Sequence, residues 1–231
     1  IEKLQAAGIE VIQDVLAGDC RELNKRFFTF HRYGRPYIIL KWAESLDGII
    51  ASAGNERTFI SNEISNRFVH KWRSEEAAIL VGTNTALLDD PSLTNRYWFG
   101  KNPVRVLIDM DLKIPLHAQI FSKPGKTIVF NGLKNGEEEN LLFFKIHSAA
   151  PVPGQIMSAL FLSGIQSLIV EGGSKTLQSF IDADLWDEAR VIKATELLLV
   201  DGKRSPKLRR ANLTEQITVR NDTISIYKRI V

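Results

Sequence analysis

Short apolar runs alternate along the chain with segments of helical periodicity. The apolar runs cover residues 35–43, 77–82, 103–109, 126–130, 167–173 and 188–195. Their length and β-branched content are typical of buried strands. Because the runs are apolar on both faces, helices must cover both sides of the sheet that they form.

Between these runs, three segments repeat apolar residues every three to four positions, at 61–76, 154–164 and 174–186. Such spacing predicts helices with one buried face. The buried face predicted for the first helix consists of Ile64, Phe68 and Trp72. Either Ser61 or Asn62 can cap the N-terminus of this helix, since both side chains can accept hydrogen bonds from its first amides.

Two further segments complete the predicted architecture. The tail has two alternating runs that break at Asn221 and Asp222, which indicates a β-hairpin. Residues 1–35 carry a helical stripe through Val15, Leu23 and Phe27, which predicts a linker helix that docks on a body formed by residues 36–231. We therefore expect an α/β fold with a mixed, mostly parallel sheet, helices on both faces and an antiparallel C-terminal hairpin.

Composition narrows the class of protein. The chain has 231 residues, 44% of them hydrophobic, which is enough to fill a core. No apolar run approaches the roughly 20 residues of a membrane span, and the charged start does not resemble a signal peptide. A single cysteine excludes an internal disulfide and a cysteine-rich zinc site. These features predict a cytoplasmic protein that is not in a membrane and has no metal site.

Charge gives little support for nucleic-acid binding. The net charge is +3, and the basic residues are dispersed except at 203–210. That cluster lacks interleaved aromatic residues and a helix-turn-helix pattern, so an ordinary solvated surface is the favoured interpretation and no nucleic-acid partner is expected.

The stretch "KWAESLDGII", residues 41–50, is the first candidate for chemistry. Lys41 is a cation inside an apolar run, and the run ends on Glu44, Ser45 and Asp47. Ligands of α/β sheets bind at the carboxyl ends of strands, so this end is a candidate site. Alternatively, Asp47 and Gly48 form a plain tight turn and the lysine extends to solvent.

The stretch "LIVEGGSKTL" is the second candidate. A predicted strand ends on Glu171, passes through two glycines and enters a helix at Ser174. Glycines allow a ligand to approach the backbone closely, and a helix N-terminus attracts phosphate. The pattern is not the GxGxxG of a dinucleotide fold, and a plain strand-to-helix turn remains an alternative.

The stretch "VGTNTALLDDPSLTNR", residues 81–96, is the third candidate. It provides the hydroxyls of Thr83 and Thr85, the carboxylate of Asp89 and the guanidinium of Arg96. Together with Arg73, which closes the preceding helix and whose head we expect to be free of the core, Arg96 could bind a phosphate. Each of these residues could also be an ordinary turn or surface residue.

In this order and spacing, the three stretches resemble the reductase domain of the bifunctional riboflavin-biosynthesis deaminase/reductase family. The resemblance runs from about Leu23 to Glu188 and includes "FISNEISNRFVHKWRSEEAAILVG" and "PVRVLID". The opening segment is similar to the connection between the two domains of that family. The resemblance therefore implies a fused N-terminal deaminase domain in the full-length protein.

The resemblance also implies a dihydrofolate-reductase-like fold, a homodimer and NADPH-dependent reduction. The expected substrate is the phosphorylated ribosylaminopyrimidine 5-amino-6-(ribosylamino)uracil 5′-phosphate, whose ribosyl group becomes ribityl. The candidate catalytic residues are Lys41 and Glu171, which can supply the proton donor and the anion that reduction of an imine needs, and Asp47, which holds the turn after the first strand. The implied cofactor-binding residues are Ala43, Phe59, Thr83, Thr85, Asp89, Gly172, Gly173, Ser174, Lys175 and Thr176. The implied substrate-binding residues are Arg57, Arg73, Leu93, Arg96 and Glu171.

Three places depart from the family pattern. The family usually has Ser or Gln at the position of Arg57, Ser at the position of Met110, and "iaP" where this chain reads "KAT" at residues 193–195. A pterin or dihydrofolate reductase of the same fold and a non-catalytic nucleotide-binding domain remain alternatives. Two arginines suited to phosphate argue against the former, and the retained Lys41 and Glu171 argue against the latter.

Overall fold

The computed structural model describes residues 1–54, 58–122 and 124–230. Its strands are β1 (Tyr37–Glu44), β2 (Ile49–Ser52), β3 (Ala78–Gly82), β4 (Val104–Ile108), β5 (Thr127–Asn131), β6 (Gly136–Glu138), β7 (Leu141–Lys145), β8 (Ser167–Val170), β9 (Glu188–Ala194), β10 (Gly202–Arg204), β11 (Ala211–Val219) and β12 (Asp222–Arg229). Its α-helices are α1 (Glu2–Ala6), α2 (Ala17–Leu23), α3 (Lys25–Tyr33), α4 (Glu63–Glu75), α5 (Thr83–Asp89), α6 (Val152–Leu162) and α7 (Ser174–Asp182). None of the helices in these ranges is long and apolar enough to cross a membrane.

Ten strands form one sheet in the order β11-β12-β9-β1-β8-β3-β4-β5-β7-β6. Within this order, each strand from β9 to β7 is parallel to the next. The hairpin β11–β12 and the short β6 add antiparallel edges. This confirms the predicted mixed sheet and its C-terminal hairpin, while β2 and β10 form a separate two-stranded sheet that the sequence did not predict.

Both faces of the sheet are buried. Along β1, Ile38 and Leu40 belong to one core cluster, whereas Tyr37 and Ile39 belong to the other. The first cluster includes the apolar faces of α6 and α7, and the second includes residues of α4. This confirms the prediction that helices lie on both sides.

Helix α4 begins where the sequence predicted, but it buries a different face. Asn62 Oδ1 accepts hydrogen bonds from the amides of Ile64 and Ser65, both at 3.0 Å. Trp72 is buried as expected, but Ile64 and Phe68 are only half-buried. The fully buried positions are Ser65, Val69, His70 and Trp72. The burial of His70 is compensated by a hydrogen bond that its ring accepts.

The first 35 residues form three short helices rather than one. Leu16 has a left-handed backbone (φ 54°) before α2, and Asn24 breaks the helical conformation between α2 and α3. The predicted stripe was wrong, since Val15, Leu23 and Phe27 are 65%, 81% and 49% exposed. Phe30 is buried instead, with its ring centroid 4.7 Å from that of Phe161. The division into a linker and a body at residue 35 stays a prediction.

Candidate active site

The three sequence stretches meet at the carboxyl ends of neighbouring parallel strands. Strand β8 lies between β1 and β3, and Val170 is in register with both Leu40 and Leu80. Residues one position further on, Lys41 and Glu171, therefore lie side by side at the edge of the sheet. Such an edge is where α/β proteins bind ligands.

Glu171 is the centre of a buried group of charges. Arg73 donates from Nε to Glu171 Oε1 at 3.0 Å and from Nη2 to Oε2 at 2.7 Å. Lys41 Nζ lies 3.8 Å from the same Oε2. The side chains of Lys41, Arg73 and Glu171 are 13%, 14% and 8% exposed. One carboxylate therefore lies between two cations at the end of β8.

The two cations keep this carboxylate ionised. Burial raises the pKa of Glu171, but the charges of Arg73 and Lys41 outweigh that effect and lower the pKa to about 2. Burial lowers the pKa of Arg73, and its pairing with Glu171 more than compensates, so the net shift is upward. Glu171 is thus an anion at neutral pH.

The expectation that the head of Arg73 is free was wrong. Besides its paired bonds to Glu171, Arg73 donates from Nη1 to the carbonyl of Thr94 at 3.4 Å. A carboxylate as buried as Glu171 would be costly without a hydrogen-bonded partner, and Arg73 at the end of α4 supplies it. Arg73 still lies beside the loop that carries Arg96.

The structure separates the two substrate residues predicted on this loop. Arg96 is exposed, and its Nη1 donates to Ser92 Oγ at 3.2 Å. Leu93 is only 3% exposed, belongs to the second core cluster and has φ 54°. Sequence analysis missed His70, whose Nδ1 accepts a hydrogen bond from the amide of Arg96 at 3.0 Å. The only signal in the sequence was its position three residues before Arg73.

The turn between β8 and α7 packs against the turn between β3 and α5 through one threonine. A Cβ on Gly172 would lie 2.8 Å from Thr176 Cβ, and a Cβ on Gly82 would lie 2.8 Å from Thr176 Oγ1. A side chain at either position would collide with Thr176 unless that residue moved. A Cβ on Gly173 would lie 3.4 Å from Thr85 Oγ1, which is an ordinary contact distance.

This pair of turns has the donor set expected for a dinucleotide phosphate. The N-cap of α7 is Gly173, and no side chain caps the helix. The first amides of α7 can therefore bind an anion, assisted by the hydroxyl of Ser174 and the charge of Lys175. Thr176 fills the space beside Gly82 and Gly172, whereas a Cβ on Gly173 would meet only Thr85, so the approach to the first amides of α7 is open at Gly173. The residues present therefore fit the phosphates of a nicotinamide dinucleotide.

The other predicted cofactor residues lie on α5, on β1 and, for Phe59, outside the helices and strands. Thr83 donates to the carbonyl of Ile108 at 2.8 Å and so ties α5 to the end of β4. Ala43 is half-buried on the same face of β1 as Lys41, and Asp89, the last residue of α5, is half-buried. Phe59 is 77% exposed. The predicted substrate residue Arg57 lies outside the described residues.

Asp47 shapes the turn after β1. Its Oδ1 accepts from Ser45 Oγ at 2.5 Å, and its Oδ2 accepts from the amide of Val200 at 2.9 Å. Gly48 has φ 76°, as the turn interpretation requires. The carboxylate of Asp47 therefore fastens the end of β1 to the loop before β10, which is a positioning role.

Comparison with known proteins assigns the family. The model of the RibD C-terminal domain matches residues 36–207. The riboflavin biosynthesis protein RibD of Aquifex aeolicus is 37% identical over 207 residues, which are 86% of this chain and 57% of that protein. A 2,5-diamino-6-ribosylamino-4(3H)-pyrimidinone 5′-phosphate reductase of Methanothermobacter thermautotrophicus is 33% identical over 84% of this chain and 98% of its own length. The chain thus spans little more than half of the RibD relatives that it matches first.

Solved structures agree with this assignment. The diaminohydroxyphosphoribosylaminopyrimidine deaminase/5-amino-6-(5-phosphoribosylamino)uracil reductase of Thermotoga maritima has a TM-score of 0.88 at 27% identity and covers 99% of this chain and 66% of its own. A dihydrofolate reductase of Enterococcus faecalis complexed with NADP(H) has a TM-score of 0.50 at 13% identity, over 84% of this chain and 96% of its own, and so shares the fold alone. The chain therefore belongs to the RibD C-terminal domain family, the riboflavin-biosynthesis reductases with a dihydrofolate-reductase-like fold.

Proposed function

We propose that this chain reduces the ribosyl group of 5-amino-6-(ribosylamino)uracil 5′-phosphate to a ribityl group with NADPH. The observation that carries the proposal is the buried carboxylate of Glu171 between Lys41 and Arg73, next to the glycine turn that begins α7. The family and the reductase named for the Thermotoga neighbour support it.

The reaction forms an imine, which must be protonated, and the resulting cation must be stabilised by an anion. The sugar ring of a ribosylamine must open, which leaves a carbon–nitrogen double bond at C1 and a hydroxyl at the former ring oxygen. When bound, NADPH supplies the hydride that adds to C1. The nitrogen must gain a proton, so the site needs a proton donor and an anion to balance the cationic imine.

Lys41 and Glu171 can fill these two roles. Lys41 Nζ lies 3.8 Å from Glu171 Oε2 in a largely buried position, so a proton donor and an anion already lie side by side. Glu171 stays ionised because its pKa is lowered to about 2. Burial strengthens both interactions by excluding water, and no covalent intermediate with the protein is needed.

Arg96 and the turn before α7 bind the phosphates of different molecules. Exposed Arg96 serves the phosphate of the substrate, since a guanidinium group can bind two phosphate oxygens. Arg73, whose Nε and Nη2 are paired with Glu171, adds positive charge beside it. The uncapped start of α7 serves the phosphates of NADPH. Phosphate recognition favours this substrate over a pterin, which carries no phosphate.

A second substrate has a specific observation in its favour. The relatives from Methanothermobacter and Archaeoglobus, which this chain matches over 98% and 85% of their lengths, are named as reductases of the diaminopyrimidinone. The two candidate substrates differ only in the base. The phosphate, the sugar and the residues assigned to them are common to both.

The test is oxidation of NADPH by the purified protein, followed at 340 nm with each of the two phosphorylated pyrimidines. We expect turnover with the uracil, a product heavier by two hydrogens, and slower turnover with NADH. Preference for the diaminopyrimidinone would move the proposal to the second substrate. No oxidation with either compound would refute a reductase role.

A further inference from the structure

His70 lies on the buried face of α4, between the sheet and the loop that carries Arg96. The residue is 2% exposed. Its Nδ1 accepts a hydrogen bond from the backbone N–H of Arg96 at 3.0 Å. The ring of Tyr97 packs edge-on against the imidazole, with the ring centroids 4.7 Å apart. An imidazole nitrogen that accepts a hydrogen bond must be unprotonated, so the proton of neutral His70 is on Nε2.

Helix α4 holds this loop at two successive points. One is the bond between His70 and the amide of Arg96, and the other is the bond from Arg73 to the carbonyl of Thr94. Arg73 is in turn fixed by its paired bonds to Glu171. The backbone at 94–96 is therefore tied to the same group of residues that forms the candidate catalytic centre.

The surroundings of His70 favour its neutral form. Arg73 faces it from α4, Arg96 from the loop and Glu171 from the end of β8. Burial and the two arginines lower the pKa of His70 to about 4, against the opposing effects of Glu171 and of the side chain of Asn95. A neutral acceptor at this position binds an amide, whereas a protonated ring would repel both arginines.

We propose that His70 is a positioning residue for phosphate: its Nδ1 holds the backbone of Arg96, so that the guanidinium group of Arg96 faces the phosphate of the substrate beside the Arg73–Glu171 pair. The inference rests on the proposed function for the identity of the substrate. It adds a residue that touches neither substrate nor cofactor. Without this acceptor, the loop that carries Arg96 would lose a hydrogen bond to α4, and its exposed guanidinium group would be held less firmly.

The test uses ribose 5-phosphate as a probe whose binding needs no turnover. Its affinity is measured by calorimetry for the wild type, His70→Leu and His70→Asn. The leucine removes the acceptor at similar volume, and the asparagine can place its Oδ1 near the position of Nδ1. We expect His70→Leu to bind about 3- to 10-fold more weakly, the range for one lost hydrogen bond, and His70→Asn to bind within about twofold of the wild type. His117→Leu, at an exposed histidine, is the matched control and should bind normally.

Kinetics give a second measurement. In turnover assays we expect His70→Leu to raise KM for the phosphorylated pyrimidine while kcat and KM for NADPH change little. Equal affinity of the wild type and His70→Leu, or equal losses in the leucine and asparagine variants, would overturn the inference. A wild type that does not bind ribose 5-phosphate would overturn it as well. A wild type that binds ribose 5-phosphate but reduces neither pyrimidine would refute only the proposed reaction, and the three affinities would still decide the role of His70.

Discussion

The carboxylate of Glu171 makes a lysine tolerable inside an apolar strand. Lys41 lies 3.8 Å from Glu171, and Arg73 pairs with the same carboxylate. Removing a charge from water is unfavourable unless a partner compensates for it. Arg73 alone can pair with Glu171 through two hydrogen bonds, so the second cation is not needed for charge balance, which favours a catalytic role for Lys41.

Lys41→Met tests this role at the scale of one residue. Methionine keeps most of the volume of the stem and removes the charge, so kcat should fall about 100-fold or more, the range for a lost general acid. Affinity for NADPH and the melting temperature should stay close to those of the wild type, because Glu171 keeps Arg73. Lys71→Met, at a lysine of α4 whose side chain is 43% exposed, is the control and should retain activity. Near-normal kcat with a lowered melting temperature would make Lys41 a structural residue.

The stability of the protein should depend on pH through His70. Its pKa in the folded protein is about 4, below the ordinary value of 6.5 that applies to the unfolded chain. Between these values the unfolded state binds more protons, so the free energy of unfolding should decrease as the pH is lowered from about 6.5 to about 4. Urea denaturation at several pH values in this window measures the effect.

His70→Leu should make that dependence less steep. Glu171 contributes mainly at lower pH, because its pKa is lowered from 4.5 to about 2 and its stabilising effect is lost only as the pH falls through that range. An unchanged slope in His70→Leu would assign the pH dependence to other groups.

At the scale of elements, the two glycine turns are shaped by contact with each other. Thr176 on α7 occupies the space where a Cβ on Gly82 or Gly172 would have to lie. The turns after β3 and β8 are thus locked together, and the start of α7 is held at the edge of the sheet. Gly173 differs, since a Cβ there meets only an ordinary contact with Thr85.

Gly173→Val separates cofactor binding from folding. The backbone of Gly173 is extended (φ −65°, ψ 170°), so valine is compatible with the fold. Its side chain would obstruct the approach of a phosphate to the first amides of α7, and NADPH affinity should fall about 3- to 10-fold, in line with the interaction of an anion with a helix N-terminus. Fluorescence titration of the folded variant measures this. Gly154→Val, at a glycine with open space in α6, is the control. Unchanged affinity in Gly173→Val would remove the turn from the cofactor site.

At the scale of the whole molecule, α3 is held to the rest of the protein by ion pairs as well as by the contact of Phe30 with Phe161 of α6. Arg26 pairs with Glu76, which follows the end of α4 and whose side chain is fully buried. Lys25 Nζ lies 2.7 Å from Glu188, and Arg190 Nε lies 2.6 Å from the other oxygen of the same carboxylate. Burial raises the pKa of Glu188, but these cations outweigh it and lower the pKa to about 2.

Arg26→Ala should therefore destabilise the entire protein. Among the ion pairs of the described residues, the carboxylate of Glu76 would keep only the one with Arg190, whose Nη2 lies 3.9 Å from Oε1. Breaking a buried ion pair costs about 3 kcal/mol or more. Urea denaturation measures the loss, and Arg32→Ala, at an exposed residue of the same helix, should change stability little. In the double variant Arg26→Met with Glu76→Leu, the loss should be smaller than for Arg26→Ala, because no buried charge is left unpaired. Equal losses would mean that the ion pair is not what holds α3.

Hydrophobic pattern predicted the elements best where burial is complete. The runs at 77–82 and 103–109 became β3 and β4, and the break before Asp222 became the hairpin turn. Elements with little burial were missed, such as β6, which is exposed throughout, because a strand that buries no face leaves no periodic signal. The stripe of residues 15, 23 and 27 failed for the opposite reason, since periodic apolar positions do not oblige a short segment to form one helix.

The sequence alone determined which residues could do chemistry, because residue type and the ends of apolar runs are local properties. Lys41, Glu171, Arg73 and the two glycines were identified from their positions in such runs. Only the tertiary structure determined which of these residues pair with each other. The register of β1 and β8 brings Lys41 to Glu171, and the packing of α4 brings Arg73 to that carboxylate and His70 to the amide of Arg96. Those partners are 26 to 130 positions apart along the chain, and a polar group acquires its partner, its pKa and its role only when folding removes it from water and leaves one neighbour within hydrogen-bonding distance.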